Sequence, residues 1–90
     1  MFYTYILKSQ KNNRLYVGST DNLKRRFSEH TNGKVISTQN KRPVKLIHYE
    51  GDILKSDASR REKFLKTTEG KRLLRQQIRD ILLLVRPIIR

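Results

Sequence analysis

Five reactive side chains stand out in this chain, Tyr5, Tyr16, Arg26, His30 and Glu62, with a glycine, Gly18, placed among them. Phenols and an imidazole can pass protons, and a guanidinium presents a fork of donors that matches a phosphate. With one carboxylate added, such a set suits hydrolysis of a phosphodiester. Each residue also has a plainer reading. Strand tyrosines commonly pack as core rings with their hydroxyls satisfied at the rim. Arg26 and His30 could form an exposed basic helix face. Glu62, inside Arg60-Arg61-Glu62-Lys63, could be a solvated ion-pair partner of little energetic worth. The elements that carry these residues decide between the two readings.

Phe2 to Ser9 is rich in aromatic and branched residues and predicts a strand, and Leu15 to Ser19 predicts a second. Lys11-Asn12-Asn13-Arg14 between them is turn chemistry. With Asn12-Asn13 as the turn centre, Tyr5 faces Thr20. Tyr5, Leu7 and Ser9 then share a face with Tyr16 and Gly18, while Ile6 shares the other with Leu15 and Val17. A glycine within a strand marks a bulge or a place where a ligand or backbone comes close. Asp21 predicts the N-cap of the following helix and Gly33 its stop. On that helix Leu23, Phe27 and His30 form a core-facing stripe, and Arg26 interrupts it where an apolar residue is expected. Such local violations concentrate at functional sites.

Lys34 to Arg42 reads as a polar, basic loop. Val44 to Glu50 predicts a third strand after Pro43, and Gly51-Asp52 opens a linker. Ser56 or Asp57 predicts the cap of a second helix reaching about Lys66, on which Ala58, Glu62 and Leu65 share one face. Gly70 is expected to separate it from a third helix over about Lys71 to Val85, ended by Pro87. That helix carries Leu74, Ile78, Ile81 and Val85 on one stripe, which predicts docking on the domain's own sheet. The surplus of Leu82, Leu83, Leu84, Ile88 and Ile89 leaves a homodimer or partner helix as the alternative.

Ninety residues predict one domain with a small core. There is no cysteine, which excludes disulfides and thiolate metal cages, and two histidines argue against a multi-histidine zinc site. Lys and Arg number 21 against 8 Asp and Glu, a net charge of +13. So large an excess attracts polyanions, nucleic acid first, with a membrane surface or an acidic protein as alternatives. No signal-peptide pattern is visible, and no apolar run approaches the ~20 residues of a spanning helix. These features predict a cytoplasmic protein with no membrane association.

With these residues in view, the chain resembles the GIY-YIG endonucleases, most closely their small stand-alone bacterial members. It is also similar to the nuclease modules of excision-repair incision proteins and phage homing endonucleases. Tyr3-Thr4-Tyr5 stands for the first motif and keeps only its final tyrosine, and Tyr16-Val17-Gly18 stands for the second. Arg26 matches the family's helix arginine and His30 its Glu-His pair. The stretch Ala58 to Lys66 matches an A-x-x-x-E-x-x-x-K element, and Thr38 and Pro43 match the central segment. The asparagine that many members carry after the glutamate helix has no counterpart in Thr67-Thr68-Glu69-Gly70.

The resemblance implies an α/β fold in the order β-β-α-β-α-α, a three-stranded antiparallel sheet flanked by helices. It implies metal-dependent hydrolysis of nucleic-acid phosphodiesters, DNA before RNA, at one Mg²⁺ or Mn²⁺ held by Glu62. A hard cation that keeps several waters can be bound by one carboxylate plus substrate phosphate. In this reading Arg26 stabilises charge on the phosphate, Tyr16 activates the attacking water with Tyr5 orienting it or sharing the role, and either Arg26 and the metal lower the phenol's pKa or His30 relays the proton. Lys24, Arg25, Lys34, Lys41 and Arg42, with Gly18 allowing close approach, are the expected nucleic-acid contacts. No dedicated base-reading element is visible, so cleavage of low or structure-based specificity is expected. A nucleic-acid-binding module that keeps the fold without catalysis is the alternative.

Overall fold

The computed structural model describes residues 1–85. Pro87, Ile88 and Ile89, together with the expected helix stop, lie outside the described residues. In chain order the elements are β1 (Phe2–Ser9), β2 (Leu15–Thr20), α1 (Leu23–Thr31), a 3₁₀ turn (Gln39–Lys41), β3 (Val44–Asp52), α2 (Lys55–Leu65), α3 (Thr68–Gln77) and α4 (Arg79–Leu84). The strands form one antiparallel sheet in the order β2-β1-β3.

Central strand β1 is the most buried element, because helices cover both of its faces. On one side Tyr5, Leu7 and Val44 pack under Leu23 and Phe27 of α1. On the other, Ile6 meets Leu65, Leu74 and Ile78 of α2, α3 and the α3–α4 junction. The expected stripe of Leu74, Ile78 and Ile81 is thus consumed by the chain's own core. Leu83 and Leu84 face outward.

The hairpin register differs from expectation by two residues, with Tyr5 opposite Gly18 and Leu7 opposite Tyr16. The turn is centred one residue earlier than Asn12-Asn13, and Asn13 takes the left-handed conformation, φ 62°. Ser9 holds the turn, its hydroxyl accepting from the backbone N–H of Lys11 and Asn12 and donating to the Lys41 carbonyl. A shift of two preserves parity, so every face assignment survives.

Other differences sit at helix ends. Asn22, not Asp21, caps α1 by accepting from the Arg25 N–H at 3.0 Å. Asp21 instead pairs with the Arg25 side chain on the surface. Gly33 ends α1 at φ 75°, and Lys34 N–H reaches back to the Glu29 carbonyl at 2.9 Å, a six-to-one closure that needs the left-handed residue. Helix α2 starts at Lys55 after Leu54, with no side-chain cap. Gly70 does not separate helices but lies inside α3. A Cβ there would stand 1.9 Å from the Phe64 carbonyl oxygen, so only glycine lets α3 start this tightly against α2. Thr67 caps α3 through Gly70 N–H. The expected single third helix is two, broken at Ile78 (φ −107°, ψ 28°).

Candidate active site

The site is built where both faces of the sheet reach the outer edge of β2. Tyr5 stands on the α1 face of β1 and lays its phenol across Gly18 of β2. A Cβ on Gly18 would meet Tyr5 Cζ and Oη at 2.5 Å. The missing side chain is therefore what lets the Tyr5 hydroxyl extend toward the sheet edge. Ser19, next along β2, points to the opposite face and donates to Glu62 Oε1 of α2 at 2.7 Å. Groups from α1 and α2, on opposite sides of the sheet, thereby line one cleft of about 410 Å³ with Tyr5, Tyr16, Gly18, Arg26, His30 and Glu62 all on its walls.

On the α1 side the hydrogen bonds run inward. Arg26 Nε donates to the Tyr5 hydroxyl at 3.4 Å, and its Nη1 donates to Glu29 at 3.0 Å. The Tyr5 hydroxyl lies 2.8 Å from His30 Nε2, and His30 Nδ1 lies 2.7 Å from the Thr38 hydroxyl. Tyr5, His30 and Thr38 are all buried. Burial pushes the Tyr5 phenol above its ordinary value, although the bond and charge of Arg26 pull the other way. Burial, seconded by the Arg26 charge, lowers His30, so the ring is neutral at pH 7. A phenol that holds its proton therefore faces an imidazole free to take one.

On the α2 side, burial would raise Glu62, but the hydrogen bonds from Lys66 and Ser19 and the charges of Lys66 and Lys63 outweigh it and hold the carboxyl below 4.5. Lys66 Nζ sits 2.9 Å from Oε2. Glu62 is thus ionised and already faces a cation. Tyr16 is less engaged, its hydroxyl accepting from the Asn12 amide at 3.3 Å near the surface.

The residues fit a divalent ion of the hard, oxygen-seeking kind. Among the described residues there is no cluster of three His, Cys, Asp or Glu that would make an all-protein cage. An ionised Glu62 beside the Ser19 hydroxyl is an oxygen donor set suited to Mg²⁺ or Mn²⁺, which accept few protein ligands and retain waters. The Lys66 ammonium is half exposed on a flexible stem and can yield its place.

The expected nucleic-acid contacts are not gathered here. Lys24 and Lys34 are exposed and line no wall of the cleft. Arg25 lines a neighbouring cavity of about 350 Å³ beyond Ser19 and Arg26, and pairs with Asp21 and Glu29. Lys41 is half-buried beneath the β1–β2 turn, where its carbonyl accepts from Ser9. Arg42 folds over Gly33 and donates to the Gln39 carbonyl. Besides Arg26, the cations that do line the cleft are Lys66 and Lys71. Lys66 was findable as the residue one turn after Glu62. Thr38 was legible only as a match to the family's central segment, Ser19 carried no signal of its own, and Lys71 reaches the cleft only through the α2–α3 crossing.

A hairpin whose second strand opens a glycine beneath a tyrosine, followed by an arginine helix and a glutamate helix, defines a class. Residues 1–75 match the family model for the GIY-YIG catalytic domain, and the chain belongs to that family of nucleases. Within it, the chain is similar to proteins called UPF0213. It is 40% identical to one from Staphylococcus haemolyticus, over 81% of this chain and 89% of that one. It is 42% identical to one from Clostridium perfringens, over 73% and 71%. The solution NMR structure of a UPF0213 protein from Bacillus halodurans shares the fold at a TM-score of 0.55 and 28% identity, covering 86% of this chain and 85% of that chain.

Proposed function

We propose that this protein is a divalent-metal-dependent endonuclease that hydrolyses phosphodiester bonds of nucleic acid, DNA in the first place, with low or structure-based specificity. The observation that carries the proposal is the convergence of Tyr5, Arg26 and His30 from one face of the sheet and Glu62 from the other on a single cleft.

Glu62 would hold the ion, and Mg²⁺ or Mn²⁺ bound there would supply Lewis-acid charge to the phosphate. Arg26, kept in place by Glu29, directs its donors at the phosphate and offsets the negative charge that grows on it. Such a preorganised donor is worth roughly 10²–10³ in rate. Tyr5 is too basic to lose its proton alone at pH 7, and His30 solves that difficulty. As water attacks phosphorus and the P–O bond to the leaving oxygen breaks, the water's proton passes to the Tyr5 oxygen while the Tyr5 proton moves to His30 Nε2, and the departing alkoxide takes a proton from solvent. His30 Nδ1–H donates to Thr38 and holds the receptive tautomer. In this reading the base is the Tyr5–His30 pair, and Tyr16, whose hydroxyl accepts from Asn12, positions water or phosphate.

The test compares Tyr5→Phe with Tyr16→Phe on a labelled oligonucleotide in Mg²⁺ or Mn²⁺. Tyr5→Phe is expected to lose about 10²–10⁴ in kcat, the usual scale of general acid–base help. Tyr16→Phe is expected to lose much less. The reverse order contradicts the assignment, and absence of cleavage by the wild-type protein in either metal contradicts the activity.

A further inference from the structure

Beyond the cleft, the outer edge of β2 continues into a groove of about 310 Å³ between that strand and α3. Its floor is apolar, with Leu15 and Val17 backed by Leu65 and Leu74, which are 0% and 2% exposed. Its rim is cationic, with Arg14 on one side and Lys71 and Arg75 on the other. Lys71 and Arg75 are one helical turn apart on α3 and so point the same way. Among the described residues none of these three has a carboxylate within ion-pair distance, whereas Arg25, Arg60, Arg61 and Arg72 are each paired with an acid. Tyr16 and Lys71 line both the groove and the cleft, so the two are one continuous surface.

We propose that this groove seats unpaired nucleotides of the strand being cut, on one side of the scissile phosphate. The proposal rests on the nuclease reading for what lies in the cleft. The rim alone would serve any polyanion. An apolar floor has no use for phosphates, however, and suits the apolar flat faces of bases that are not stacked in a duplex. In a continuous duplex those faces are hidden inside the helix, so its backbone could meet the rim but would leave the apolar floor in water. The strand edge is fit for this role for a further reason. β2 is an edge strand, and among the described residues its outward backbone N–H and C=O groups have no partner strand. The chain therefore favours substrates with a single-stranded segment abutting the cut.

The test is equilibrium binding of the wild-type protein without divalent metal, so no bond is broken. Three ligands are compared: a blunt duplex, the same duplex with a short unpaired tail, and the same duplex with an abasic tail that keeps the phosphates and lacks the bases. DNA and RNA tails run side by side to separate the two sugars. A tail with bases is expected to bind about tenfold more tightly than the abasic tail, the scale of taking roughly 55 Å² of apolar base face out of water. An Arg14→Ala/Arg75→Ala variant is expected to lose about tenfold on both tails, and its log K against log salt to flatten by about 1.4 for two lost phosphate contacts. Equal affinity for the two tails overturns the proposal, as does a double variant that binds both tails like wild type. Because no metal is present, these outcomes are independent of cleavage. A base-dependent tail preference without any cleavage leaves the groove standing and removes only the nuclease, and cleavage without that preference does the opposite.

Discussion

Gly18 contributes by having nothing there. Any side chain would have to occupy the space of the Tyr5 ring, with contacts of 2.5 Å to two of its atoms. Gly18→Ala is therefore expected to push Tyr5 off His30. Overpacking of this kind costs about 1–3 kcal/mol of stability, and misplacing a reacting group by about an ångström costs about 10²-fold in rate. Denaturant unfolding and kcat measured on one preparation check both numbers. Wild-type turnover in a folded Gly18→Ala protein would show that the Tyr5 position is irrelevant. The Tyr5–His30–Thr38 chain makes a second prediction. Burial first, then the Arg26 charge, depress the His30 pKa in the folded state, so the ring is needed and found neutral. Cleavage should rise with pH through a midpoint below 6.5 and then level off. Stability should follow the same sign, full above the unfolded value of about 6.5 and declining as pH falls through the folded value. Thr38→Val should shift that midpoint and lower kcat, while Thr38→Ser restores both. A pH profile unmoved by Thr38→Val would confine Thr38 to packing.

Among the elements, α2 does most of the joining, since it carries Glu62 to β2 and receives α3 at Gly70. Gly70→Ala would drive a Cβ into the Phe64 carbonyl. We expect about 2–4 kcal/mol lost in urea unfolding, the range of strong steric substitutions. Thr67→Ala, which only removes a cap, should cost about 1 kcal/mol. Arg61 of α2 also grips Glu50 of β3 through both carboxylate oxygens, at 2.8 and 3.1 Å, with His48 3.0 Å from the same group. Burial would raise Glu50, but those bonds win and lower it. Stability from this contact is present above about pH 4.5 and is lost as pH falls through the depressed folded value. Glu50→Gln should flatten that acid limb. What the chain revealed in advance follows from the same physics. Face assignments on β1 and β2 were legible because strand parity tolerates a register error of two. Arg26 and Glu62 were legible because each interrupts an apolar stripe. Caps were not, since Asp21 and Asn22 are both competent and only backbone geometry chooses. Nor was the role of Gly70, which reads as a breaker in one dimension and as a contact point in three.

At the scale of the whole molecule, charge is unevenly used. Arg25, Arg60, Arg61 and Arg72 are tied to acids, whereas among the described residues Arg14, Lys71 and Arg75 along the β2 edge have no ion-pair partner. Among the described residues no helix is long and apolar enough to cross a membrane. Nucleic-acid binding should weaken linearly in log K against log salt, at about −0.9 per duplex phosphate neutralised. Lys71→Ala should flatten that slope by about one phosphate, and Lys24→Ala should leave it unchanged. The expected contacts at Lys24, Lys34, Lys41 and Arg42 failed to gather because sequence neighbours of a site need not be its spatial neighbours, while Lys66 and Lys71 come from helices that fold back. The most direct measurement pairs binding with cleavage for Glu62→Ala against wild type, on one oligonucleotide, with Mg²⁺ or Mn²⁺ and with chelator. The account predicts that wild type cuts only with metal and that Glu62→Ala binds as tightly or more tightly yet does not cut. Metal-dependent cleavage that survives Glu62→Ala would contradict it.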